Sequence, residues 1–313
     1  MTRTRTEPRR PFGRLLTAMI TPFHADGSLD LDGAATLATH LVDVQGNDAL
    51  VINGTAGEAP TTTDGEKESL LRAVVEAVGD RAQVVAGVGT NNTAHTVELA
   101  RSAEKAGAHG LLVVTPYYNK PPQAGVLRHF TTVADATGLP MLIYDIPHRA
   151  GIAVSTETLC RAAEHDRIVG VKDAKSDLVA TSWVTSRTDL AYYSGDDAMT
   201  LPLLSVGAVG VVGTSTQFIG QRTKQMIEAY ERGDVAGALR LHHELLPLFT
   251  GIFAAPGTIL VKGALNLLGL PAGPTRSPLV DATPAELAAL REDAAAAGVE
   301  LPAVDPAGVE LPA

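Results

Sequence analysis

Gly110-Leu-Leu-Val-Val-Thr115 carries no polar side chain before its last position and has two β-branched residues at its centre. A strand with one face in water alternates apolar with polar residues. This run is apolar on both faces, as a parallel strand buried beneath helices should be. Seven more short runs of the same kind are Leu16–Ile20, Ala49–Asn53, Val84–Gly87, Met141–Asp145, Ile168–Asp173, Ala191–Gly195 and Gly210–Gly213. Between them lie stretches of helical period such as Leu31–Val44, Thr63–Val78, Thr93–Ala106, Gln123–Thr137, Ser155–Glu164 and Met199–Val206. Strand and helix alternating through eight units predict an α/β fold, a (β/α)8 TIM barrel. A doubly wound sheet fits less well, because no G-x-G-x-x-G or Walker loop follows any strand. Gly87 and Gly89 read instead as close-approach positions at a strand end.

Beyond the eighth run the pattern is purely helical: Gly220–Arg232, Val235–Thr250, Thr258–Leu268 and a last segment near Pro284–Ala297. The chain therefore divides into a flexible basic N-terminal arm (1–13), the barrel (14–219), a C-terminal α-helical extension (220–297) and a loosely ordered tail (298–313). The tail repeats Ala-Gly-Val-Glu-Leu-Pro-Ala at 297–303 and 307–313, too short a repeat for a solenoid.

Composition narrows the functional classes. Of 313 residues 45% are hydrophobic, enough for a large core, and the formal net charge of −10 disfavours nucleic acid and anionic membranes as partners. No apolar run approaches the ~18 residues of a spanning helix, and Met1–Arg14 lacks the apolar stretch of a secretory signal. A single cysteine, Cys160, allows no internal disulfide. A reducing cytoplasm is the expected setting.

In a barrel of this kind chemistry gathers where strands end. Lys172 is the sharpest of the seven lysines, since it ends the apolar run Ile168–Val171 and would place its amine inside the barrel mouth. Burial disfavours the ammonium and leaves a nucleophilic amine able to form a Schiff base with a ketone. A structural pairing with Asp173 or another carboxylate is the other reading. Gly54-Thr-Ala-Gly-Glu58 offers free backbone N–H groups, as an anion nest or as a simple glycine turn. Tyr144, one strand before Lys172, suits a proton shuttle. Tyr117 and Tyr118 are shuttle or packing. Arg149 is either a carboxylate clamp or half of a surface salt bridge. Glu58, Asp145, Asp173, Asp196, Asp197 and His148 lie near strand ends but in no metal-ligand spacing, and helix capping accounts for most of them. No G-x-S-x-G elbow is present.

Six segments then occur in a familiar order: Thr17–Phe23, Gly54–Glu58, Val114–Pro121, Leu142–Pro147 with Arg149, Gly170–Asp173 and Ser194–Asp197. On these the chain resembles the dihydrodipicolinate synthases, in their actinobacterial wording, within the pyruvate-dependent class I aldolases that include N-acetylneuraminate lyase. The likeness spans roughly residues 13 to 270. It implies a lyase of lysine and diaminopimelate biosynthesis that condenses pyruvate with L-aspartate 4-semialdehyde. Lys172 would carry the Schiff base, and Tyr144, Thr55 and Tyr118 the proton relay, with Tyr118 reaching into a neighbouring subunit. Thr55 and Ala56 would hold the pyruvate carboxylate and Arg149 that of the aldehyde, with Gly195 and Val212 completing the substrate-binding set. It implies a homotetramer built as a dimer of dimers and neither metal nor organic cofactor. A sibling aldolase or 2-oxo acid dehydratase acting on another aldehyde or sugar acid is the alternative, and a catalytically silent barrel a third.

Three departures from the family pattern stand out. Ala56 replaces a second threonine, His148 replaces a small residue beside Arg149, and Gly213-Thr-Ser-Thr-Gln-Phe218 is more polar than usual after strand eight. In the family's inhibitor pocket this chain has Ala59, Pro60, Asp64, Lys67 and His95, with Asn91 and Tyr117 kept. The resemblance therefore implies weak feedback by lysine, or none.

Overall fold

A computed structural model describes residues 9–303. Eight parallel strands close into a barrel in sequence order: β1 (Leu15–Ala18), β2 (Ala49–Ile52), β3 (Gln83–Gly87), β4 (Gly110–Val114), β5 (Met141–Asp145), β6 (Ile168–Asp173), β7 (Ala191–Ser194) and β8 (Gly210–Gly213). The helices between them are α1 (Leu31–Asp43), α2 (Asp64–Val78), α3 (Thr93–Lys105), α4 (Gln123–Asp135), α5 (Pro147–Ala150), α6 (Thr156–Ala162), α7 (Leu178–Arg187) and α8 (Thr200–Ser205). After β8 come α9 (Thr216–Glu231), α10 (Val235–Gly251), α11 (Gly257–Leu267) and α12 (Pro284–Ala296). The expected TIM barrel with C-terminal helices is the observed fold.

Helix starts follow local chemistry. Asp30 accepts from the Gly33 N–H ahead of α1, and Thr63 and Glu66 form a reciprocal capping box at α2. The α7 stretch lacks a clean apolar stripe, because Val179 and Trp183 are exposed. For that reason it does not stand out among the periodic segments of the sequence. The backbone of α9 breaks at Ile219 (φ −127°, ψ 23°), the residue at which the sequence divides barrel from extension.

The pairing register decides which strand residues face inward. Paired neighbours share a face, and alternate residues along a strand change face. Starting from Lys172, the pairs run to Tyr193, Gly210, Val212, Leu16, Ala49 and Val51, then through Val85, Gly110, Leu112 and Val114 to Tyr144, which pairs with Lys172 again. This set lines the interior. Its floor is sealed by Phe12, buried to 1%, and a Cβ on Gly110 would stand 2.4 Å from the Phe12 ring. Only glycine fits there. The Tyr193 hydroxyl donates to the Gly13 carbonyl at the same end. Phe12 thus anchors the end of the basic arm, whose first eight residues lie outside the described set. The tail is anchored similarly at Leu301, which is buried and whose carbonyl accepts from the Arg291 guanidinium. The second copy of its repeat, 307–313, lies outside the described residues. The outward strand residues, such as Val84, Val113 and Ile143, are also fully buried, each stabilising the fold by about 1.5–3 kcal/mol.

Candidate active site

Lys172 leaves the top of β6 on the inner face and is 4% exposed. Its Nζ rests 4.2 Å from the centroid of the Tyr144 ring, its register partner on β5. Burial lowers the amine pKa to about 8, opposed by the Asp197 carboxylate and reinforced by the Arg149 charge. The alternative pairing with Asp173 does not form. Asp173 points outward, and its carboxylate accepts from the backbone N–H groups of Lys175 and Ser176, 2.8 and 2.9 Å away. Among the described residues the only carboxylate acting on the Lys172 amine is Asp197, through its charge and without a hydrogen bond, and burial outweighs it in favour of the neutral amine.

Tyr144 is buried beside it, and burial pushes its phenol up to about 12, with Thr55 as a hydrogen-bond partner and Arg149 near enough to favour the phenolate. Thr55 sits in the loop after β2. Asn53 and Glu58 hold left-handed backbone at φ 63° and 55° at either end, and the Thr21 hydroxyl donates to the Gly57 carbonyl at 2.6 Å. Ala56, in the same loop, is buried. A Cβ on Gly87 would stand 2.5 Å from the Asn53 carbonyl oxygen, and one on Gly89 2.3 Å from the Val114 nitrogen. Both glycines are close-approach positions.

Of the remaining expected residues, Arg149 and Tyr118 line one cavity with Thr55 and Tyr144, whereas Gly195 and Val212 are not among its lining residues. Gly195 donates its N–H to the Asp173 carbonyl at 2.6 Å, and a Cβ there would meet Lys172 Cγ at 3.1 Å, so glycine keeps the lysine stem straight. Val212 is on the inner face of β8, fully buried. Arg149 stands on the one-turn helix α5 and lines the cavity with Thr55, Tyr144 and Tyr118. Tyr118 is 87% exposed at φ 68°, an uncommon backbone for an aromatic residue. The cavity is about 1000 Å³. Lys172 is not among its lining residues, since its amine lies against the Tyr144 ring. Lys67, Asp64, His95 and Asn91 also line the cavity, and there Asp64 already faces the His95 ring nitrogen at 2.8 Å.

Sequence reasoning assigned the acidic strand-end residues mostly to capping. Asp196 does cap, accepting from the Ala198 N–H. Asp197 does not. It is fully buried, accepts from the Thr214 N–H and the Ser215 hydroxyl, and burial pushes its carboxyl up. The polar wording after β8 is thereby explained, because Ser215 satisfies Asp197. Gln217 donates to the Ala18 carbonyl and accepts from the Ile20 N–H, joining α9 to the end of β1. Asp145 pairs with Lys175 at 3.1 Å and Glu58 with Lys262 at 2.7 Å, pairings that no local spacing announces. Among the described residues no three His, Cys, Asp or Glu side chains converge as a metal-binding group.

Residues 11–297 match the family model described as the dihydrodipicolinate synthetase family. A protein of Acidothermus cellulolyticus named 4-hydroxy-tetrahydrodipicolinate synthase is 70% identical over 288 residues, covering 92% of this chain and 93% of that one. The crystal structure of the synthase from Cyanidioschyzon merolae with lysine bound superposes with a TM-score of 0.91 at 42% identity, over 93% of this chain and 100% of that one. A chloride-inhibited synthase from Acinetobacter baumannii complexed with pyruvate gives 0.88 at 31% identity, over 93% and 100%.

Proposed function

The chain belongs to the dihydrodipicolinate synthetase family, and from that premise we propose how its own residues condense pyruvate with L-aspartate 4-semialdehyde. The enzyme is a lyase of the Schiff-base class serving lysine and diaminopimelate biosynthesis. The neutral Lys172 amine attacks the keto carbon of pyruvate, and the carbinolamine loses water to give an imine. The imine nitrogen draws electrons from the neighbouring methyl, which gives up a proton to leave an enamine. The enamine carbon attacks the aldehyde, whose oxygen takes the proton. The amine of the second substrate then adds to the former keto carbon, closing the ring and releasing Lys172. One water leaves overall.

Tyr144 passes protons between Lys172 and the reacting oxygens, with Thr55 as its hydrogen-bond partner and Tyr118 as the outer member of the relay. Tyr118 performs this role in a neighbouring subunit's site, in a homotetramer assembled as a dimer of dimers. Its exposure in the single chain supports that reading. Thr55 and the Ala56 N–H receive the pyruvate carboxylate beside Gly195 and Val212, and Arg149 receives the aldehyde's carboxylate at the rim. No cofactor is called for by this sequence of steps. Among the described residues no helix is long and apolar enough to cross a membrane, in keeping with a cytoplasmic site of action.

The single observation that carries the reading is the buried Lys172 amine on the Tyr144 ring. Borohydride reduction in the presence of pyruvate should place a covalent adduct on Lys172, and its absence would refute the mechanism. A panel of aldehydes should show aspartate semialdehyde turned over best. A sugar-derived aldehyde winning by about tenfold, which corresponds to about 1.4 kcal/mol, would transfer the assignment to the sibling aldolase or dehydratase.

A further inference from the structure

Lys262 is a buried cation that these steps do not use. It lies on α11, on the C-terminal side of the barrel, in the otherwise apolar stretch Ile259–Leu265. Its side chain is 2% exposed and its Nζ stands 2.7 Å from Glu58 Oε1, on a side chain 1% exposed. Nζ also donates to the Pro274 carbonyl at 2.6 Å and lies 4.2 Å from the centroid of Phe23. The other Glu58 oxygen accepts the Arg276 N–H at 2.8 Å. Arg276 in turn packs on Phe23 at 4.0 Å and donates to the Gly27 and Thr61 carbonyls and to both oxygens of Glu66. The segment joining α11 to α12 is thus fastened to the loops that follow β1 and β2.

Glu58 is the last residue of the loop that carries Thr55 and Ala56. Its N–H donates to the Thr55 carbonyl at 3.2 Å and its carbonyl accepts from the Thr61 N–H at 2.9 Å. Its left-handed backbone has an energetic cost for a side chain with a Cβ, so the surroundings must hold it there. A buried ion pair is weak grounds for stability, since apolar pairs of similar size often serve as well. Its location then points to placement of the loop.

We propose that Glu58 and Lys262 are positioning residues for the pyruvate-carboxylate loop, so that the C-terminal helices are a working part of the site. The pair fixes the loop at its downstream end. The Thr55 hydroxyl and the Ala56 N–H are thereby held where the keto-acid carboxylate lands. This rests on the pyruvate reading above.

The test uses Glu58→Gln, Lys262→Met and the double variant, each as the full chain. Melting temperature is measured together with separate Michaelis constants for pyruvate and for aspartate semialdehyde. Each single variant leaves one buried charge unpaired and should melt lower, whereas the double variant should melt near the wild type. All variants that fold should show a pyruvate KM raised about tenfold, with kcat and the aldehyde KM changed less than about twofold. If neither single variant folds, the double variant alone decides. A double variant with wild-type melting and an unchanged pyruvate KM would overturn the proposal, as would a uniform loss in kcat. Absence of the borohydride adduct in the wild type would instead remove the pyruvate reading itself.

Discussion

Replacing Lys172 by Met should stabilise the protein while destroying its activity, and the size of the gain follows from the burial of the amine. With a pKa of about 8 in the fold against 10.5 for an ordinary lysine, Lys172 is neutral in about one molecule in ten at pH 7, against about three in ten thousand, a gain of roughly 300-fold. The fold thus penalises the ammonium. Between the two pKa values the unfolded chain holds the extra proton, so this contribution to stability rises with pH. The penalty is complete below the folded pKa and disappears above the unfolded one. It amounts to about 3 kcal/mol at pH 7 and about 2 kcal/mol at pH 9. Methionine fills the same volume against the Tyr144 ring without the charge. Lys172→Met should therefore melt roughly 5 °C higher than the wild type at pH 7, with a smaller difference at pH 9. Differential scanning fluorimetry at matched protein concentration measures both. The same ionisation should govern chemistry, so the rate of pyruvate–borohydride trapping should rise with pH through a midpoint near pH 8 and level off above about pH 9. A variant that melts lower than the wild type, or trapping that keeps rising as an ordinary lysine would, refutes the reasoning.

Arg149→Ala should still form the adduct while kcat/KM for the aldehyde falls roughly 10- to 100-fold; the trapping midpoint should move up, because a nearby positive charge is gone, and loss of the adduct would contradict the rim assignment. Gly195→Ala brings a methyl to 3.1 Å from Lys172 Cγ and 3.0 Å from the Asp173 carbonyl oxygen, so trapping should slow about tenfold with little change in far-UV circular dichroism, and unchanged trapping would show that the stem has room to spare. Free lysine should inhibit weakly or not at all, since Asp64 on the cavity wall is engaged by His95 and Lys67 adds a positive charge there; a submillimolar inhibition constant would show that this wall accepts an ammonium after all.

Much of this molecule is written one strand at a time. Two-sided apolar runs set the strands, helical period set most of the segments between them, and the rule that chemistry lies at strand ends singled out Lys172, Tyr144, the Gly54–Glu58 loop and Arg149. These are short-range signals, carried by neighbours in the chain. The helix α7 was less visible for the same reason, since Val179 and Trp183 interrupt its local pattern.

What a chain of letters does not carry is which distant side chains meet. Whether Lys172 faced Asp173 or the barrel interior depended on register around the whole closed sheet, and closure turned one toward Tyr144 and the other outward. Asp197 looked like a helix cap until β8 brought Ser215 and Thr214 against it. Lys262 sits among apolar residues on a helix outside the barrel, and only the docking of α11 on the loop holding Glu58 supplies its partner. Burial decides each of these charges, and burial is a property of the packed barrel that no local stretch of sequence possesses.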